Sequence, residues 1–390
     1  MLRLRSCVVS RLLSPLSTYP VSHLHRLLSA AAPPASPSPP ISPIQGFAIE
    51  DYLIDTCGLT RAQALKASPK LSHLKSPSKP DAVLAFLAGL GLSSADVAAV
   101  VARDPHFLCA KVDKTLAPAV VGLTGLGISN PEIARLVPIA PERFRCRSIV
   151  SKLKYYLPLL GSFDNILMSV QRNYHLLTAN LETTVKPNVL FLQECGLCDR
   201  DIAKLCIHVR AILTAKPECV RAMVARAEGI GVPCGSGMFR EALSAVAFLS
   251  EEYIAAKVDY LKKTFRWSDA QVSIALVKGP VLLKRSKDML QRKSEFLISE
   301  VGLEPAYIAH RPVIIGYSME GRLRPRYYVL KFLKANGFVD QKQGYYDIVS
   351  VSEEVFVKKF ICPHKEATPH LADDYAAACK GEVPTNFRFT

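Results

Sequence analysis

The sequence predicts an all-α protein, a superhelical solenoid of about eight to nine helical repeats of about 35 residues each. Three features predict it: a Gly-apolar step, a helix-start signal and a proline each recur at intervals near one period or a multiple of it. Three independent markers that share one period indicate a true repeat. In such a stack each unit buries its apolar face only against its neighbours.

The Gly-apolar step marks the end of a helix in each unit. It occurs at Gly58-Leu59, Gly91-Leu92, Gly127-Ile128, Gly196-Leu197, Gly231-Val232, Gly302-Leu303 and Gly337-Phe338. The successive gaps are 33, 36, 69, 35, 71 and 35 residues, so each of the two large gaps is two periods. Glycine suits this place because helices often end with a residue in the left-handed conformation, which glycine adopts without strain.

Helix starts and chain breaks follow the same period. A hydroxyl side chain stands three residues before an acid or amide, the spacing of a capping box, at Thr60/Gln63, Ser93/Asp96, Ser129/Glu132 and Ser268/Gln271. Prolines that we expect to mark a break before the next helix fall at Pro69, Pro105, Pro141, Pro280 and Pro312. The proline is missing from the units around Asn173, Arg210 and Ala247, and the glycine is missing near Phe163 and Arg266.

The two ends of the chain differ from the repeats. Residues 1–49 hold Arg3, Arg5, Arg11 and Arg26, many serines and no acid before Glu50, a composition typical of an organellar transit peptide. We therefore interpret residues 1–44 as a transit peptide with a Pro/Ser-rich linker; an ordinary disordered tail is the alternative. Residues 45–340 hold the repeats, and residues 341–390 are interpreted as a capping unit followed, beyond Cys362, by a tail.

Composition and motifs exclude several classes of protein. The formal net charge is +15. The most apolar stretch, residues 82–102, is interrupted by glycines, serines and Asp96, so we expect no membrane contact. The eleven cysteines lack a disulfide framework, and Cys195-Gly-Leu-Cys198 has no second pair at zinc-site spacing, so we interpret its thiols as structural. No nucleotide-binding, metalloprotease, nucleophile-elbow or kinase signature occurs. Nothing argues for an enzyme, a cofactor or a metal.

Several segments resemble one known family. The order Gly-Leu-Ser, helix, Pro-apolar triplet and Lys-x-x-apolar-Leu resembles the mitochondrial transcription termination factor (mTERF) family. Four further segments also resemble this family: DYLIDTCGL (residues 51–59), the stretches that start at Lys257 and Lys293, and Arg322-Leu-Arg-Pro-Arg326 followed by Tyr327 and Tyr328. The resemblance covers about residues 47–361, and its motifs are individually degenerate.

The resemblance implies a curved stack of helical triplets whose concave, basic side binds nucleic acid inside an organelle. Family members bind double-stranded DNA and act in transcription termination, and some plant members serve RNA splicing. Double-stranded DNA is therefore the first expected partner and RNA the alternative. The mitochondrion is the first expected location and the chloroplast the alternative, and the protein is expected to be a monomer. A protein-binding scaffold or an enzyme remain competing hypotheses.

A ladder of basic residues gives candidate nucleic-acid contacts. Lys79, Lys114, Lys152, Lys186, Arg221, Lys257, Lys293 and Arg326 precede the last apolar helix of successive units at spacings of 33 to 38 residues. Residues of one phase line one edge of a solenoid, so we expect a continuous positive stripe suited to successive phosphates. Arg285, Lys287, Arg292, Arg322 and Arg324 are expected to extend it near the C-terminal end. The alternative is that these side chains only solvate helix faces.

Overall fold

The computed structural model describes residues 47–146 and 148–382 of the 390-residue chain, so the expected transit peptide lies outside the described residues. Within those ranges every regular element is helical and no strand occurs. The prediction of an all-α helical-repeat solenoid is confirmed. The chain runs through eight units, each made of a first helix and a second helix and most of them closed by a short helical turn, with further helices before and after them.

The helices follow one another with short connections. The chain opens with α1 (Ile49–Asp55) and α2 (Arg61–Leu71). First helices of units 1 to 8 contain α3 (Ser78–Gly89), α5 (Ala117–Thr124), α8 (Ser148–Leu160), α10 (Lys186–Glu194), α12 (Pro217–Gly229), α14 (Glu251–Phe265), α16 (Lys287–Ser294) and α18 (Arg324–Ala335). Second helices are α4 (Ser94–Arg103), α6 (Asn130–Leu136), α9 (Phe163–Arg172), α11 (Asp199–His208), α13 (Phe239–Val246), α15 (Asp269–Lys278), α17 (Pro305–His310) and α19 (Tyr345–Ser350).

A short turn closes most units. It is a 3-10 helix at Pro105–Cys109, Tyr174–Leu177, Pro280–Lys284 and Pro312–Gly316, and the short α7 (Pro141–Phe144) in unit 2. Pro105, Pro141, Pro280 and Pro312 open these turns, as predicted. Pro69 does not: it lies inside α2, two residues before the helix ends, so the break expected there is wrong. Because proline has no N–H, the carbonyl of Leu65, four residues earlier in α2, loses its usual donor, and the helix ends two residues after Pro69.

Three first helices begin with a wider π turn. The segments Val112–Leu116, Leu181–Val185 and Met319–Leu323 each run directly into an α-helix whose second residue is a proline. Proline has no N–H to donate, and its ring clashes with the carbonyl four residues earlier in a regular helix. The wider turn removes that conflict, because its bonds span five residues. First helices therefore continue through prolines that would otherwise end them.

Left-handed residues end helices at the predicted places. All seven glycines of the Gly-apolar step have positive φ, from 68° at Gly337 to 92° at Gly91. The sequence analysis finds no such glycine in two units. For unit 3 that interpretation is wrong, because Gly161 (φ 76°) ends the first helix, although a serine and not an apolar residue follows it. In unit 6 Arg266 (φ 56°) itself adopts the left-handed conformation after α14, so the helix end is preserved without a glycine. All four predicted capping boxes are present, at the starts of α2, α4, α6 and α15.

The units stack in two layers around one apolar core. First helices pack on first helices, as α10 does on α12 and α14 on α16, and second helices pack on second helices, as α11 does on α9 and α13. The buried residues form one continuous cluster from Leu53 to Tyr375. Within the described part of the chain, no helix is long and apolar enough to cross a membrane.

Helices continue after unit 8, in the segment where the sequence analysis expects a tail. After unit 8 come α20 (Glu353–Phe356), a π turn (Val357–Ile361) and a 3-10 turn (Cys362–His364). A further helix, α21 (Leu371–Cys379), buries Leu371, Tyr375 and Ala378 and packs against α18. The expectation of a tail directly after Cys362 is therefore wrong for this segment, because its apolar residues cover the last unit.

Two loops of neighbouring units meet at a pair of glycines. Gly235 N donates to the carbonyl of Cys195 at 2.9 Å, and a Cβ on Gly196 would lie 2.8 Å from the Cα of Gly235. Cys195 is buried, and its thiol is a hydrogen-bond partner of Cys234. Burial raises the pKa of both thiols, that of Cys234 to about 12. The Cys-Gly-Leu-Cys segment and the glycines after unit 5's first helix thus serve packing between units 4 and 5.

Replacing Gly196 by Ala should lower the free energy of unfolding more than replacing Gly302 by Ala. Both residues have positive φ, so both substitutions carry the conformational cost of about 1–2 kcal/mol. Only Gly196 faces a neighbouring backbone, whereas Gly302 faces open space. Chemical denaturation of the two variants measures the difference. Equal losses would show that the approach of the two loops is not a real constraint.

Candidate nucleic-acid interface

The predicted basic residues fall into three groups by exposure. Lys114, Lys186, Arg221, Arg285, Lys287 and Arg292 are exposed, as is Lys79. Arg322 and Arg324 are half-buried. Lys152, Lys257, Lys293 and Arg326 are buried, with relative exposures of 8%, 4%, 6% and 0%. The ladder is therefore not one continuous surface stripe.

The four buried cations bind carbonyl oxygens at the end of their own unit. Lys293 Nζ donates to the carbonyls of Ile315, at 2.6 Å, and Tyr317. Arg326 Nη1 donates to the carbonyls of Ile348 and Val351 at 2.9 and 2.8 Å. In the same way Lys152 Nζ donates to the carbonyl of Ala179, and Lys257 Nζ to that of Arg285. Each bond joins the first helix of a unit to the turn that closes it.

The geometry of the closing turn explains why a donor is needed there. A 3-10 turn ends with carbonyls that have no partner within the turn. The chain then becomes extended, with ψ 145° at Arg285 and 155° at Tyr317, so no following N–H is near. A buried carbonyl without a partner is costly. A long basic side chain from the first helix supplies the missing donor.

The carbonyl-capping position is the buried first-helix position that Lys152, Lys257, Lys293 and Arg326 occupy. At intervals of 33 to 36 residues the corresponding buried residues of the other units are Val83, Ala119, Asn188 and Met223, of which only Asn188 has a side-chain donor. Asn188 does with its amide what the cations do, donating to the carbonyls of Leu213 and Ala215 at 3.1 and 2.8 Å. The prediction that Lys152, Lys257, Lys293 and Arg326 face nucleic acid is wrong, because their charged groups point into the protein.

Burial shifts the acidity of these lysines. Loss of water around the ammonium lowers the pKa of Lys152 and Lys257, and lowers that of Lys293 to about 8, with Arg285 adding to the effect. The ammonium ions are thus held at a desolvation cost that hydrogen bonds to carbonyls offset in part. Arg326 has a further partner, since its Nη2 donates to Glu353 of the following segment at 2.7 Å.

Several of the remaining cations lie over aromatic rings of the preceding unit. The pairs are Lys186 over Tyr155 at 5.9 Å, Arg221 over Phe191 at 4.9 Å, Lys287 over Tyr260 at 5.2 Å and Arg324 over Phe296 at 5.9 Å. A ring face orients a cation without neutralising its charge. We call Lys114, Lys186, Arg221, Lys287, Arg292, Arg322 and Arg324 the first-helix cation row. Two of its members are also paired with acids, Lys186 with Glu182 and Arg292 with Glu320.

A second group of cations was missed by the sequence analysis. Lys204, His208, Arg240, Lys284 and Arg285 line one cavity, which we call the basic cleft. They come from α11, α13 and the segment that closes unit 6, so three units contribute. Of these five only Arg285 was singled out from the sequence. The signal in the sequence was weak: Lys204 and His208 stand one turn apart on α11, and Arg240 follows at 36 residues from Lys204.

The basic cleft has a positive electrostatic environment. Burial lowers the pKa of His208, and Arg172, Arg240 and Lys284 lower it further. An imidazole whose charged form is disfavoured by three cations reports a surplus of positive charge. Among the described residues, no group of three or more His, Cys, Asp or Glu side chains is placed to hold a metal ion.

Comparison with known proteins decides the family. The mTERF family model matches residues 53–357, most of the chain. The chain belongs to the mTERF family. The family resemblance inferred from the sequence is thus confirmed.

Three mTERF relatives from Arabidopsis thaliana are similar to this chain at low identity. "Transcription termination factor MTERF8, chloroplastic" is 22% identical over 294 residues, which cover 74% of this chain and 56% of the relative. "Transcription termination factor MTERF15, mitochondrial" is 21% identical over 254 residues, 63% of this chain and 55% of the relative. "Transcription termination factor MTEF18, mitochondrial" is 23% identical over 108 residues, which cover 28% of this chain and 19% of the relative.

The similarity to these relatives covers only part of their length. The chain spans only about half the length of MTERF8 and MTERF15 and less of MTEF18. Membership of the mTERF family supports an organellar nucleic-acid-binding regulator at the level of the family. The relatives' names include both organelles, so they support an organelle without choosing between them.

Replacing Lys293 by Met should destabilise the protein, because two buried carbonyls would then have no donor. The expected loss is about 1–3 kcal/mol in the free energy of unfolding at pH 7. Lys263→Met is the matched control, since Lys263 is exposed on α14. Urea denaturation compares the two variants. If Lys293→Met were as stable as the control, the capping bonds would contribute nothing.

The same pair of variants tests the pKa of Lys293. The folded-state pKa, about 8, lies below the unfolded value of about 10.4, so the unfolded chain holds a proton that the folded protein lacks between those limits. Between these two pKa values, Lys293 makes the free energy of unfolding rise with pH, by up to about 1.4 kcal/mol per pH unit. Below pH 8 both states are charged and the contribution is flat. Lys293→Met should lack this rise; an identical pH profile would contradict the shift.

Proposed function

We propose that this mTERF protein binds double-stranded nucleic acid, double-stranded DNA above all, through the first-helix cation row and thereby regulates transcription, including its termination, in an organelle. The observation that carries the proposal is the row itself. The first helices of units 2, 4, 5, 7 and 8, with the π turns that lead into them, carry exposed or half-buried cations, and four of these lie over aromatic rings. The relatives' names, all transcription termination factors, support the same role.

The chemistry of the row suits phosphates. A duplex presents phosphates at regular intervals, and each cation that contacts one releases bound counterions, which favours binding. The row supplies cations from units 2, 4, 5, 7 and 8, at intervals set by the repeat. The net charge of +15 adds a sequence-independent attraction to any polyanion. Contacts of this type position a protein on nucleic acid and do not read bases.

The rings beneath the cations favour a duplex over an unpaired strand. Proteins that bind single strands offer free aromatic faces on which bases stack. Here one face of Tyr155, Phe191 and Tyr260 is covered by a cation. These faces are therefore occupied, and binding to the phosphate backbone is the mode that remains. The mitochondrion is our first proposed location, with the chloroplast as alternative.

Replacing Arg221, Lys287 and Arg324 together by Gln should weaken binding to all duplex sequences alike. The logarithmic salt dependence of the association constant should become shallower by about 0.9 for each phosphate that the protein no longer neutralises. Fluorescence anisotropy with labelled DNA duplexes at several salt concentrations measures both quantities. The matched control is Arg61→Gln, Lys66→Gln and Lys263→Gln, which removes the same charge from exposed positions outside the row.

Two results would contradict the proposal. The row is only a solvated surface if the triple variant keeps the parent's affinity and salt dependence. Duplex DNA is the wrong target if an RNA of the same sequence, paired or unpaired, binds the parent more tightly than the DNA does. Melting temperatures of both triple variants show whether the fold is intact, because surface charges usually change stability little.

A further inference from the structure

The basic cleft lies between the second helices of units 4 and 5 and the segment that closes unit 6. Its volume is about 320 Å³, near the lower end of the range for small-molecule sites. Lys204 and His208 come from α11, Arg240 from α13, and Lys284 and Arg285 from the closing segment. Because α11 and α13 pack on each other and α13 packs on the turn Pro280–Lys284, the rigid stack fixes these side chains relative to one another.

Three of the four lysine and arginine side chains that line the cleft have no acidic partner. In the described chain, no carboxylate lies within ion-pair distance of Lys204, Lys284 or Arg285. Arg240 differs, since it pairs with Asp201 at 3.1 Å and with Glu241. Lys284 Nζ also donates to the carbonyl of Ser244 at 3.2 Å, which holds its ammonium at the wall of the cleft. The cleft thus holds three positive charges, those of Lys204, Lys284 and Arg285, that no ion pair in the described part of the protein compensates.

The floor of the basic cleft is apolar. Leu205, Ala245 and Val281 form it. Leu205 and Ala245 are almost fully buried, whereas Val281, a large aliphatic residue, is 44% exposed and provides most of the free apolar surface. A bare inorganic anion would contact the cations and leave this floor uncovered. A ligand with a phosphate at one end and a flat, weakly polar ring at the other would use both parts. A nucleotide has this chemistry.

We propose that the basic cleft is a binding site for a nucleoside 5′-phosphate, with the phosphate held by Lys204, Lys284 and Arg285 and the base lying on the floor formed by Leu205, Ala245 and Val281. The same chemistry has two sources, a free nucleotide and the 5′-phosphorylated end of a strand. The proposal is independent of the proposed function, because none of its contact residues belongs to the first-helix cation row.

His208 gives the site an internal reporter. It lines the cleft, and Arg172, Arg240 and Lys284 disfavour its protonated form. The other charged groups that line the cleft are Lys204, Glu241 and Arg285. A bound phosphate would offset the cations, so the pKa of His208 should rise when the ligand binds. The shift arises only if the anion lies beside His208, which separates this site from binding elsewhere on a basic protein.

Isothermal titration calorimetry of the full-length chain with adenosine 5′-monophosphate tests the proposal. We expect saturable binding that is at least about tenfold tighter than for adenosine or inorganic phosphate, since each lacks one half of the ligand. Lys204→Gln with Arg285→Gln should weaken it by about tenfold or more. Arg61→Gln with Lys66→Gln removes equal charge from exposed positions on α2 and should leave it unchanged.

The His208 signal provides a second readout in the intact protein. Its imidazole resonance, assigned by its disappearance in His208→Asn, should titrate at higher pH with adenosine 5′-monophosphate present and at an unchanged pH with adenosine. Melting temperatures of the cleft variants show that they fold. The carbonyl of residue 285 can still accept the bond from Lys257 in the Gln variant, so the closing turn keeps its donor.

Titrations with oligonucleotides distinguish the two sources of the ligand, a free nucleotide and the 5′-phosphorylated end of a strand. If a 5′-phosphorylated single strand binds more tightly than its 5′-hydroxyl form, and the cleft variant removes that preference, the strand end is the source. If the free nucleotide alone binds, the source is the nucleotide pool. The proposal is overturned if neither ligand binds the parent, if the cleft variant binds like its control, or if inorganic phosphate binds as tightly as the nucleotide. A negative result for the basic cleft would not contradict the proposed binding of duplex DNA by the first-helix cation row.

Discussion

The interaction on which five of the eight units depend is the bond from a buried first-helix side chain to the carbonyls that end the same unit. Each unit has to return from its second helix to the next first helix through a tight turn. That turn ends in buried carbonyls, which need donors. Lys152, Asn188, Lys257, Lys293 and Arg326 provide them, so the start and the end of a unit are joined through its interior. Arg326 also reaches Glu353 and ties the last unit to the segment beyond it.

This arrangement divides the basic residues between folding and binding. Lysine and arginine are long enough to cross the unit and carry several donors, which a capping role requires, and the same properties suit phosphate contacts. Burial decides which role each residue has. Lys293 and Lys287 lie on the same first helix, yet the first caps Ile315 and Tyr317 while the second lies exposed over Tyr260. Charge alone is therefore a poor guide to the interface.

Much of the fold follows from local signals in the sequence. The left-handed glycines and capping boxes are short-range devices, so their positions give the helix ends directly. The candidate interface did not follow, because the basic ladder combines several helical phases. Lys186 and Arg221 lie two residues before the carbonyl-capping position, Lys114 lies five residues before it, and Lys152 and Lys257 occupy it. Two residues turn a helical side chain by about 200°. The basic cleft was missed because Lys204, Arg240 and Lys284 meet only through stacking of three units.

The pKa of Lys293 tests most directly whether the ladder's lysines are buried capping groups. Its ε-methylene signals can be followed with pH by NMR and assigned with Lys293→Arg. The account predicts a midpoint near 8, because the ammonium is desolvated beneath the closing turn. A midpoint near the value of about 10.4 for a lysine in water would contradict it. In that case the ammonium would lie in solvent, and Lys293 would return to the set of candidate phosphate contacts.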